Sequence, residues 1–453
     1  MRNGDATPDS FWRTTSPAPA PVPLSGDRSA DVAVVGAGFT GLSTALELRR
    51  ARPDLRVVVL EAETVGFGAS GRNAGFSMTL FGLEPATTAL RFGKRRVAEA
   101  FVHMQRCVQN LHEVVEREEI DCDYEANGLL VVATCKAHLR RLEREVRLFE
   151  SLGIDTLELW DAERVKRAVA SERYRGAKYD PDCALLNPWK LVHGLARAAR
   201  ARGVEVYEHA PVTKLERRPD EIRLHTPSGV VSADKVVLAT NAYADWLGPL
   251  HRRSLPAYTY IVTTEPLADD VLGQIGWVGR HGIEDARQLV HYYRLTADNR
   301  LLIGGGQIRY AFGGRPKDPA LVEHPRLQRA LQRTARDLFP ALEDVEFAHH
   351  WGGPVSVPLD LAPAIGALGR DRRVFYSLGC VGHGVSLTVM NGRVLTELLL
   401  GEDTELTRLF FVDRRVLPFP PEPLRFVAAH TIRGALSAID RLQVGKPSEP
   451  GPS

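Results

Sequence analysis

The sequence predicts an α/β fold in which a Rossmann-like dinucleotide-binding domain is interleaved with a second domain built on an antiparallel sheet. Residues 31–61 run as an apolar strand, a glycine-rich turn, a helix and a second apolar strand, which is the order of a βαβ unit. Several segments between about 250 and 350 alternate apolar and polar residues. Such alternation is typical of antiparallel strands with one face open to solvent or a ligand.

The first βαβ unit has the features of a nucleotide site. Its turn has the spacing Gly36-x-Gly38-x-x-Gly41, and its second strand is followed by Glu61. The glycines permit a tight turn, the approach of a pyrophosphate and close helix packing, and the helix N-terminus offers N–H groups to phosphate. Glu61 is placed to accept hydrogen bonds from a ribose and to repel a 2′-phosphate, so an NADP site is disfavoured.

The composition favours a small-molecule enzyme. Lys and Arg number 58 and Asp and Glu 56, a formal net charge of +2 over 453 residues, so nucleic acid and anionic lipid are not predicted as partners. The five cysteines are odd in number and form no C-x-x-C pair, which indicates neither a disulfide framework nor a zinc site. His349-His350 has no third ligand at metal spacing, so no metal is predicted.

No segment indicates a membrane location. The first thirty residues are proline-rich and lack the apolar core of a signal peptide, and no apolar run reaches the roughly eighteen residues of a membrane helix. The sequence therefore predicts a soluble, cytoplasmic protein.

The N-terminal half is predicted to begin with an arm and a ligand-binding loop. Residues 1–30 form an extended arm in which Phe11-Trp12 docks, or a disordered tail. The glycine-rich loop at 61–77 is shaped to wrap a ligand, with a flexible surface loop as the alternative. The elements that follow are a helix at about 85–119, a strand at 128–134, a helix at 136–152, a helix from about Trp189 to Arg202 and a strand at 204–207.

The C-terminal half is predicted to return twice to the parallel sheet. The predicted elements are a charged hairpin, a buried strand at 235–241, alternating strands and a helix at about 318–339 within residues 250–350, a strand at 373–378, a helix at about 385–400, a helix at about 423–442 and a disordered tail at 446–453. The predicted domains are an arm (1–30), a nucleotide-binding domain (31–84, 185–249 and 352–425), a substrate domain (85–184 and 250–351) and a C-terminal helix with its tail (426–453).

A second glycine turn lies at residues 379–384, between a strand and a helix. Its helix N-terminus is a second place that can stabilise negative charge. One such end suffices for a pyrophosphate, and a second is useful if the ligand carries a ring that becomes anionic, as reduced flavin does.

Five motifs together resemble one family. They are GAGFTG with Glu61, GFGASGRNAG (66–75), LATNAYA (238–244), YRLTADNRLLIGGG (293–306) and WGGP followed by GCVGHGV. This set is similar to the FAD-dependent amine and amino-acid oxidoreductases of the D-amino-acid oxidase, glycine oxidase and sarcosine oxidase superfamily, nearest the gamma-glutamylputrescine oxidoreductase-like branch. The resemblance implies a glutathione-reductase-type FAD fold with substrate held above the flavin on the antiparallel sheet.

The resemblance also implies the cofactor contacts, which lie in both glycine turns, in the loop after Glu61 and at three further positions. They are Gly36, Ala37, Gly38, Phe39, Thr40, Gly41, Glu61, Ala62, Ala69, Ser70, Gly71, Arg72, Asn73, Ala74, Gly75, Val212, Thr240, Asn241, Gly379, Gly382, His383, Gly384, Val385, Ser386 and Leu387. No cysteine occurs at 351–358, where relatives with covalent flavin carry theirs, so non-covalent FAD is expected.

Some positions depart from the family. Cys380 and Val381 stand where members usually carry an aromatic and a hydroxyl residue. Leu302 and Ser386 stand where sarcosine-type enzymes carry lysines for oxygen activation and carboxylate binding. Oxygen as acceptor and a simple N-methyl amino acid as substrate are therefore not implied.

The substrate site is predicted on the alternating strands. Tyr258, Tyr260, Tyr292 and Tyr293 offer aromatic rings to a cationic group, although alternation turns about half of them towards a helix or core. Arg294 is a candidate for binding a substrate carboxylate or phosphonate, with an ion pair inside the sheet as the alternative.

Two further residues are candidates for ligand contact and for catalysis. Trp351 contacts the ligand or closes a core. His383 tunes the flavin or accepts a proton, or it only holds its loop. A desolvated pocket lowers an amine pKa without a dedicated base, so a strong base is not required.

The predicted activity is oxidation of a primary or secondary amine, or an amino acid, to an imine by hydride transfer to FAD. Hydrolysis of the imine follows, and oxygen or another acceptor reoxidises the flavin. Only one dinucleotide fingerprint is present, so electrons are expected from the organic substrate rather than from NADPH. The alternatives are an aminophosphonate oxidoreductase of the same fold and a flavin-bound subunit without catalysis. The sequence does not indicate the oligomeric state.

Overall fold

Two eight-stranded sheets form the frame of the protein. The structure is a computed structural model that describes residues 10–82, 84–244, 248 and 250–444. The predicted C-terminal tail at 446–453 and the first nine residues of the predicted arm lie outside the described residues. None of the described helices is both long enough and apolar enough to cross a membrane.

Strands and helices are interspersed along the described chain. The strands are β1 (Arg28–Val35), β2 (Val57–Leu60), β3 (Phe76–Ser77), β4 (Leu129–Val132), β5 (Glu158–Asp161), β6 (Gly176–Asp180), β7 (Ala184–Leu185), β8 (Glu205–Tyr207), β9 (Lys214–Arg217), β10 (Ile222–Thr226), β11 (Gly229–Leu238), β12 (Leu255–Thr263), β13 (Gly282–Asp285), β14 (His291–Leu295), β15 (Leu301–Gly305), β16 (His349–Val357), β17 (Ala364–Leu368) and β18 (Val374–Leu378). The helices are α1 (Phe39–Ala51), α2 (Pro85–Phe92), α3 (Lys94–Arg117), α4 (Lys136–Glu150), α5 (Ala162–Ala168), α6 (Pro188–Ala201), α7 (Asp269–Ile275), α8 (Pro319–Val322), α9 (Pro325–Leu338), α10 (Gly384–Leu400) and α11 (Leu424–Val444).

The first sheet has the order β17-β18-β11-β1-β2-β8, with β10 and β9 attached in antiparallel pairs beside β11. β1 pairs in parallel with both β2 and β11, so that Val34 lies opposite Val59 and Val237. All four residues of β2 are buried, as expected for a parallel strand covered on both faces. Helices α1, α3, α6 and α10 pack on one face. The predicted α/β fold is confirmed.

The second sheet has the order β16-β12-β15-β14-β13-β4-β6-β5. Its neighbours are antiparallel except for β4 and β13, which pair in parallel. One face packs against α5, α7, α8 and α9, and the other faces the loop after Glu61. Strand β16 belongs to this sheet through Val357, so its last residues cross the predicted boundary at residue 352. The division into domains stays a prediction.

Several elements differ from their predicted bounds. The helical pattern at 85–119 is divided at Gly93, whose φ of +85° does not continue a helix. Pro325 begins α9, so the pattern at 318–339 is two helices. Strand β16 was not predicted because two glycines and a proline interrupt its pattern. The short elements α5, α7, β5, β6, β13 and β17 were not predicted either, since four to seven residues show no clear period.

The N-terminal arm docks against the rest of the chain. Phe11 and Trp12 are only 3% and 2% exposed. The indole N–H of Trp12 donates to the carbonyl of Asn73 at 2.8 Å, and the Ser10 hydroxyl donates to the carbonyl of Gly71 at 2.6 Å. The arm therefore packs against the loop after Glu61 and donates hydrogen bonds to its backbone.

Candidate cofactor site and active site

A long cleft lies where β1, β2, β11 and β18 end at the carboxyl edge of the first sheet. Ligands of open α/β sheets bind at this edge. Helices α1 and α10 both begin there, since Gly38 is the N-cap of α1 and Gly384 the first residue of α10. The two helix N-termini therefore direct N–H groups and positive dipole ends into one cleft.

Two glycines shape the first turn. Gly36 has a φ of +108°, and a Cβ there would lie 2.6 Å from the carbonyl oxygen of Ala239. A Cβ on Gly41 would overlap the carbonyl oxygen of Gly36. Gly41 therefore lies beneath the turn and shapes it, while Gly36 borders the cleft.

Glu61 closes the far side of this turn. Its carboxylate accepts the N–H of Ala37 at 2.8 Å and the N–H of Glu63 at 3.0 Å. Burial raises the pKa of Glu61, and the two N–H bonds oppose that rise. The neighbouring Glu63 pairs with Lys317 at 2.7 Å, and both border the cleft. Lys317 comes from a distant segment, so no local signal could have identified it.

The loop after Glu61 is fixed to the start of α1. The Ser70 hydroxyl accepts the N–H of Phe39 at 3.0 Å. The Asn73 amide donates to the carbonyl of Ala69 at 3.0 Å and accepts the N–H of Gly75 at 2.8 Å. The loop is thus an ordered wall of the cleft, rather than a flexible surface loop.

Arg72 and Trp351 join this loop to the second sheet. The Arg72 guanidinium donates to the carbonyl of Phe67 at 2.9 Å, and the indole of Trp351 donates to the carbonyl of Arg72 at 2.7 Å. Trp351 is fully buried and does not border the cleft. Trp351 therefore packs in a core, and its contact with the ligand stays a prediction.

Arg294 lies below the same loop and is 1% exposed. It donates to the carbonyls of Leu186 at 2.7 Å and Gly75 at 3.3 Å, and its guanidinium lies 5.8 Å from the Trp12 ring. Burial lowers its pKa to about 10. These contacts position the loop. The described part of the chain shows no ion pair at Arg294, and its contact with substrate stays a prediction.

Three of the predicted tyrosines lie on the helix-covered face of the second sheet. Tyr258 and Tyr260 donate to the carbonyls of Pro316 and Leu321, and Tyr293 shares a 2.8 Å hydrogen bond with Tyr174. Alternation directs these three side chains away from the loop after Glu61, and their contact with substrate stays a prediction.

Tyr292 points to the opposite face, where its ring lies 5.9 Å from that of Phe76. Phe76 lies near the end of the loop after Glu61. The sequence predicted that neighbouring tyrosines alternate between the two faces of the sheet. It did not predict which face meets the loop after Glu61.

The second glycine turn precedes α10. Gly379 has a φ of +81° and packs on Pro358, and the Ser386 hydroxyl donates to the carbonyl of Met78 at 3.3 Å. Burial lowers the pKa of His383 to about 4, and its Nδ1 has no hydrogen-bond partner among the described residues. Its ring does not border the cleft, so its catalytic role stays a prediction.

Most of the predicted cofactor residues border the cleft. They are Gly36, Ala37, Gly38, Phe39, Thr40, Glu61, Ala62, Ala69, Ser70, Asn73, Val212, Thr240, Asn241, Gly382, Gly384, Val385 and Leu387. Gly41, Gly71, Arg72, Ala74, Gly75, Gly379, His383 and Ser386 lie behind it. The cleft-lining residues that were not predicted include Tyr243, Lys317, Val355, Ser377, Cys380, Thr388 and Asn391.

The cleft fits an extended polar cofactor. The Thr240 hydroxyl and the Asn391 amide oxygen are buried in its wall without a hydrogen-bond partner among the described residues. Buried polar atoms are normally satisfied, and the phosphates and ring edges of FAD can supply such partners. The carboxylate of Glu61 at one end and the α10 N-terminus at the other suit a ribose and an electron-rich ring.

Comparison with known proteins identifies the family. A family model described as FAD dependent oxidoreductase matches residues 31–398. The chain is 37% identical over 399 residues to gamma-glutamylputrescine oxidoreductase of Escherichia coli (strain K12), covering 88% of this chain and 89% of the relative. It is 26% identical over 382 residues to glycine oxidase of Geobacillus kaustophilus (strain HTA426), covering 83% of this chain and 94% of the relative.

A solved structure supports the fold. The crystal structure of glycine oxidase from Geobacillus kaustophilus matches with a TM-score of 0.71 at 22% identity, covering 86% of this chain and 100% of that chain. The family model and the 37% identical relative confirm the predicted family, enzyme class and cofactor. The chain belongs to the family of FAD-dependent oxidoreductases.

Proposed function

We propose that the protein oxidises the C–N bond of a primary or secondary amine, or of an amino acid, to an imine. In this reaction the carbon beside nitrogen loses a hydride, the nitrogen lone pair forms the C=N bond, and water then hydrolyses the imine to a carbonyl compound and a free amine or ammonia. Bound FAD would supply the two-electron acceptor, and oxygen or another acceptor would reoxidise it.

The observation that carries this proposal is the cleft with two helix N-termini in a chain whose relatives are named for amine and amino-acid oxidation. Gamma-glutamylputrescine oxidoreductase and glycine oxidase are both named for substrates that contain a C–N bond. Helix α10 begins at Gly384 with Val385 in the cleft wall. Negative charge develops as the reaction proceeds, so the N–H groups of this helix would stabilise the transition state more than the ground state.

The chain itself would keep the reacting amine neutral. Tyr292, Ile261 and Trp351 lie on the sheet face that meets the cofactor loop. The apolar residues around them, among them Phe76, Leu302 and Met78, form a buried cluster. Such surroundings lower an amine pKa by desolvation, so the proposal needs no strong base.

The alternatives receive no support from a specific contact. An aminophosphonate substrate would need a free cation at the sheet, whereas Arg294 donates to backbone carbonyls and the side chain of Arg309 hydrogen-bonds to Tyr260. A cytoplasmic location and non-covalent FAD stay predictions.

The test is an anaerobic screen of amines and amino acids with the purified yellow protein. Loss of the oxidised flavin absorbance with at least one amine is expected, and readmission of air measures how fast oxygen restores it. A yellow protein that no amine reduces would instead support the flavin-bound subunit without catalysis.

A further inference from the structure

A second cavity lies beside the cofactor cleft. Its walls are residues 78–81, helices α2, α3 and α4, and strands β4, β6 and β13. Met78 forms part of the wall, and its carbonyl accepts the hydroxyl of Ser386 in the first turn of α10. Since Val385 and Leu387 border the cofactor cleft, this contact joins the walls of the two spaces.

The cavity contains a buried carboxylate with no direct partner. Glu284 is 7% exposed and lines the cavity. No hydrogen bond or ion pair reaches its carboxylate from the part of the chain that the structure describes. Burial raises its pKa to about 7, Asp285 adds to that rise, and Lys178 opposes it.

The other charged groups of the cavity are already paired. Lys178 lies two strands from Glu284 in the cross-strand row Glu284–Val131–Lys178, roughly 10 Å away at the usual strand spacing. It pairs with Glu145 at 2.7 Å. The Asp180 carboxylate accepts the hydroxyl of Thr79 and the N–H of Asp182. Glu284 is therefore the group in this wall that a cation entering the cavity would stabilise most.

The row that contains Glu284 continues across the sheet to β12. Glu284 lies opposite Tyr292, Tyr292 opposite Gly304, and Gly304 opposite Ile261. All of these side-chain positions are on the face that meets the cofactor loop. Most of the remaining wall is apolar, with Val97, Phe101, Phe149 and Leu157 in one cluster, which suits a methylene chain.

A cation bound by Glu284 cannot be the nitrogen that reacts. A carboxylate stabilises an ammonium ion, whereas loss of hydride needs a neutral amine with its lone pair. We propose that this cavity is a substrate subsite in which Glu284 binds a second, non-reacting ammonium group, so that the substrates are amines with two cationic nitrogens joined by an apolar chain. This inference rests on the proposed amine oxidation.

The test compares α,ω-diaminoalkanes of three to six carbons with n-alkylamines of the same length, using the FAD-loaded enzyme under anaerobic conditions. Diamines are expected to reduce the flavin at concentrations about 10- to 100-fold lower than monoamines, the range expected for a charged hydrogen bond. Glu284→Gln should remove this advantage and leave the limiting rate with monoamines within about threefold, since the reacting nitrogen lies elsewhere.

Two further variants complete the design. Glu284→Asp keeps the charge and should retain part of the diamine preference, which makes the test independent of whether Glu284→Gln folds. Glu265→Gln removes an exposed carboxylate and should change nothing. Equal use of diamines and monoamines by the wild type, or equal weakening of both by Glu284→Gln, would overturn the inference. Failure of every amine to reduce the flavin would overturn the proposed function itself.

Discussion

Gly392 of α10 lies against Ser43 of α1 so closely that a Cβ at residue 392 would be 2.5 Å from the Cβ of Ser43. Nearby, the hydroxyl of Thr396 in α10 donates to the carbonyl of Gly392 at 2.9 Å and lies 3.5 Å from the carbonyl of Thr44 in α1. The close crossing brings the N-termini of both helices to one cleft. We therefore expect the two ends of the cleft to be coupled through this helix pair.

Gly392→Val should separate the two helices. We expect it to lower the free energy of unfolding by about 1–3 kcal/mol, as overpacking does, and to lower the FAD content of the purified protein. Thermal denaturation and the ratio of flavin to protein absorbance measure both effects. Gly434→Ala is the control, since Gly434 has open space around it in α11. Full flavin content in Gly392→Val would contradict the coupling.

Glu61→Gln should weaken FAD binding. The substitution puts an amide NH₂ where the carboxylate now accepts N–H bonds from Ala37 and Glu63, so one donor loses its partner and the turn loosens. A loss of about 1.5–3 kcal/mol, or roughly 10- to 100-fold in affinity, is expected for bonds to a charged group. Fluorescence titration of FAD into apoprotein measures it. The exposed Glu205→Gln is the matched control, and equal affinity in both variants would refute the prediction.

Arg294→Leu distinguishes a positioning role from a substrate role. Loss of its bonds to the carbonyls of Leu186 and Gly75 leaves buried acceptors unpaired, which we expect to cost about 2–4 kcal/mol of stability. Activity should fall alike for substrates with and without a carboxylate. The exposed Arg326→Leu serves as control. If stability is unchanged and only carboxylate-bearing substrates bind more weakly, Arg294 contacts substrate.

Because His103 is buried, we expect the free energy of unfolding to fall in acid. Burial lowers its pKa from 6.5 to about 4, so the unfolded chain binds the proton more readily than the folded one. Its contribution is complete above about pH 6.5 and disappears as the pH falls towards 4, on the order of 3 kcal/mol. Urea unfolding at pH 7 and pH 4.5 should show a smaller difference for His103→Gln than for wild type. His112→Gln, on the exposed side of the same helix, should keep the wild-type difference.

Local patterns were sufficient for the nucleotide half of the site. Gly36, Gly38, Gly41 and Glu61 lie within one βαβ unit, where each residue's role depends on neighbours in the same turn. The second glycine turn at 379–384 was readable for the same reason, because strand, turn and helix follow one another directly. Sequence spacing therefore predicted both ends of the cleft.

The substrate side was decided by tertiary structure. The alternation placed Tyr292 and Tyr293 on opposite faces of the sheet. It did not indicate which face meets the loop after Glu61, because that depends on helices packed from distant parts of the chain. Arg294 bonds to Leu186, more than a hundred residues away, and Glu284 faces a cavity formed by three helices from residues 85–150. The sequence by itself determined the family, its FAD cofactor and the βαβ unit that predicts a dinucleotide site at the first sheet. Only the folded chain decided which side chains face it, because burial is a property of contacts between segments and not of any one segment.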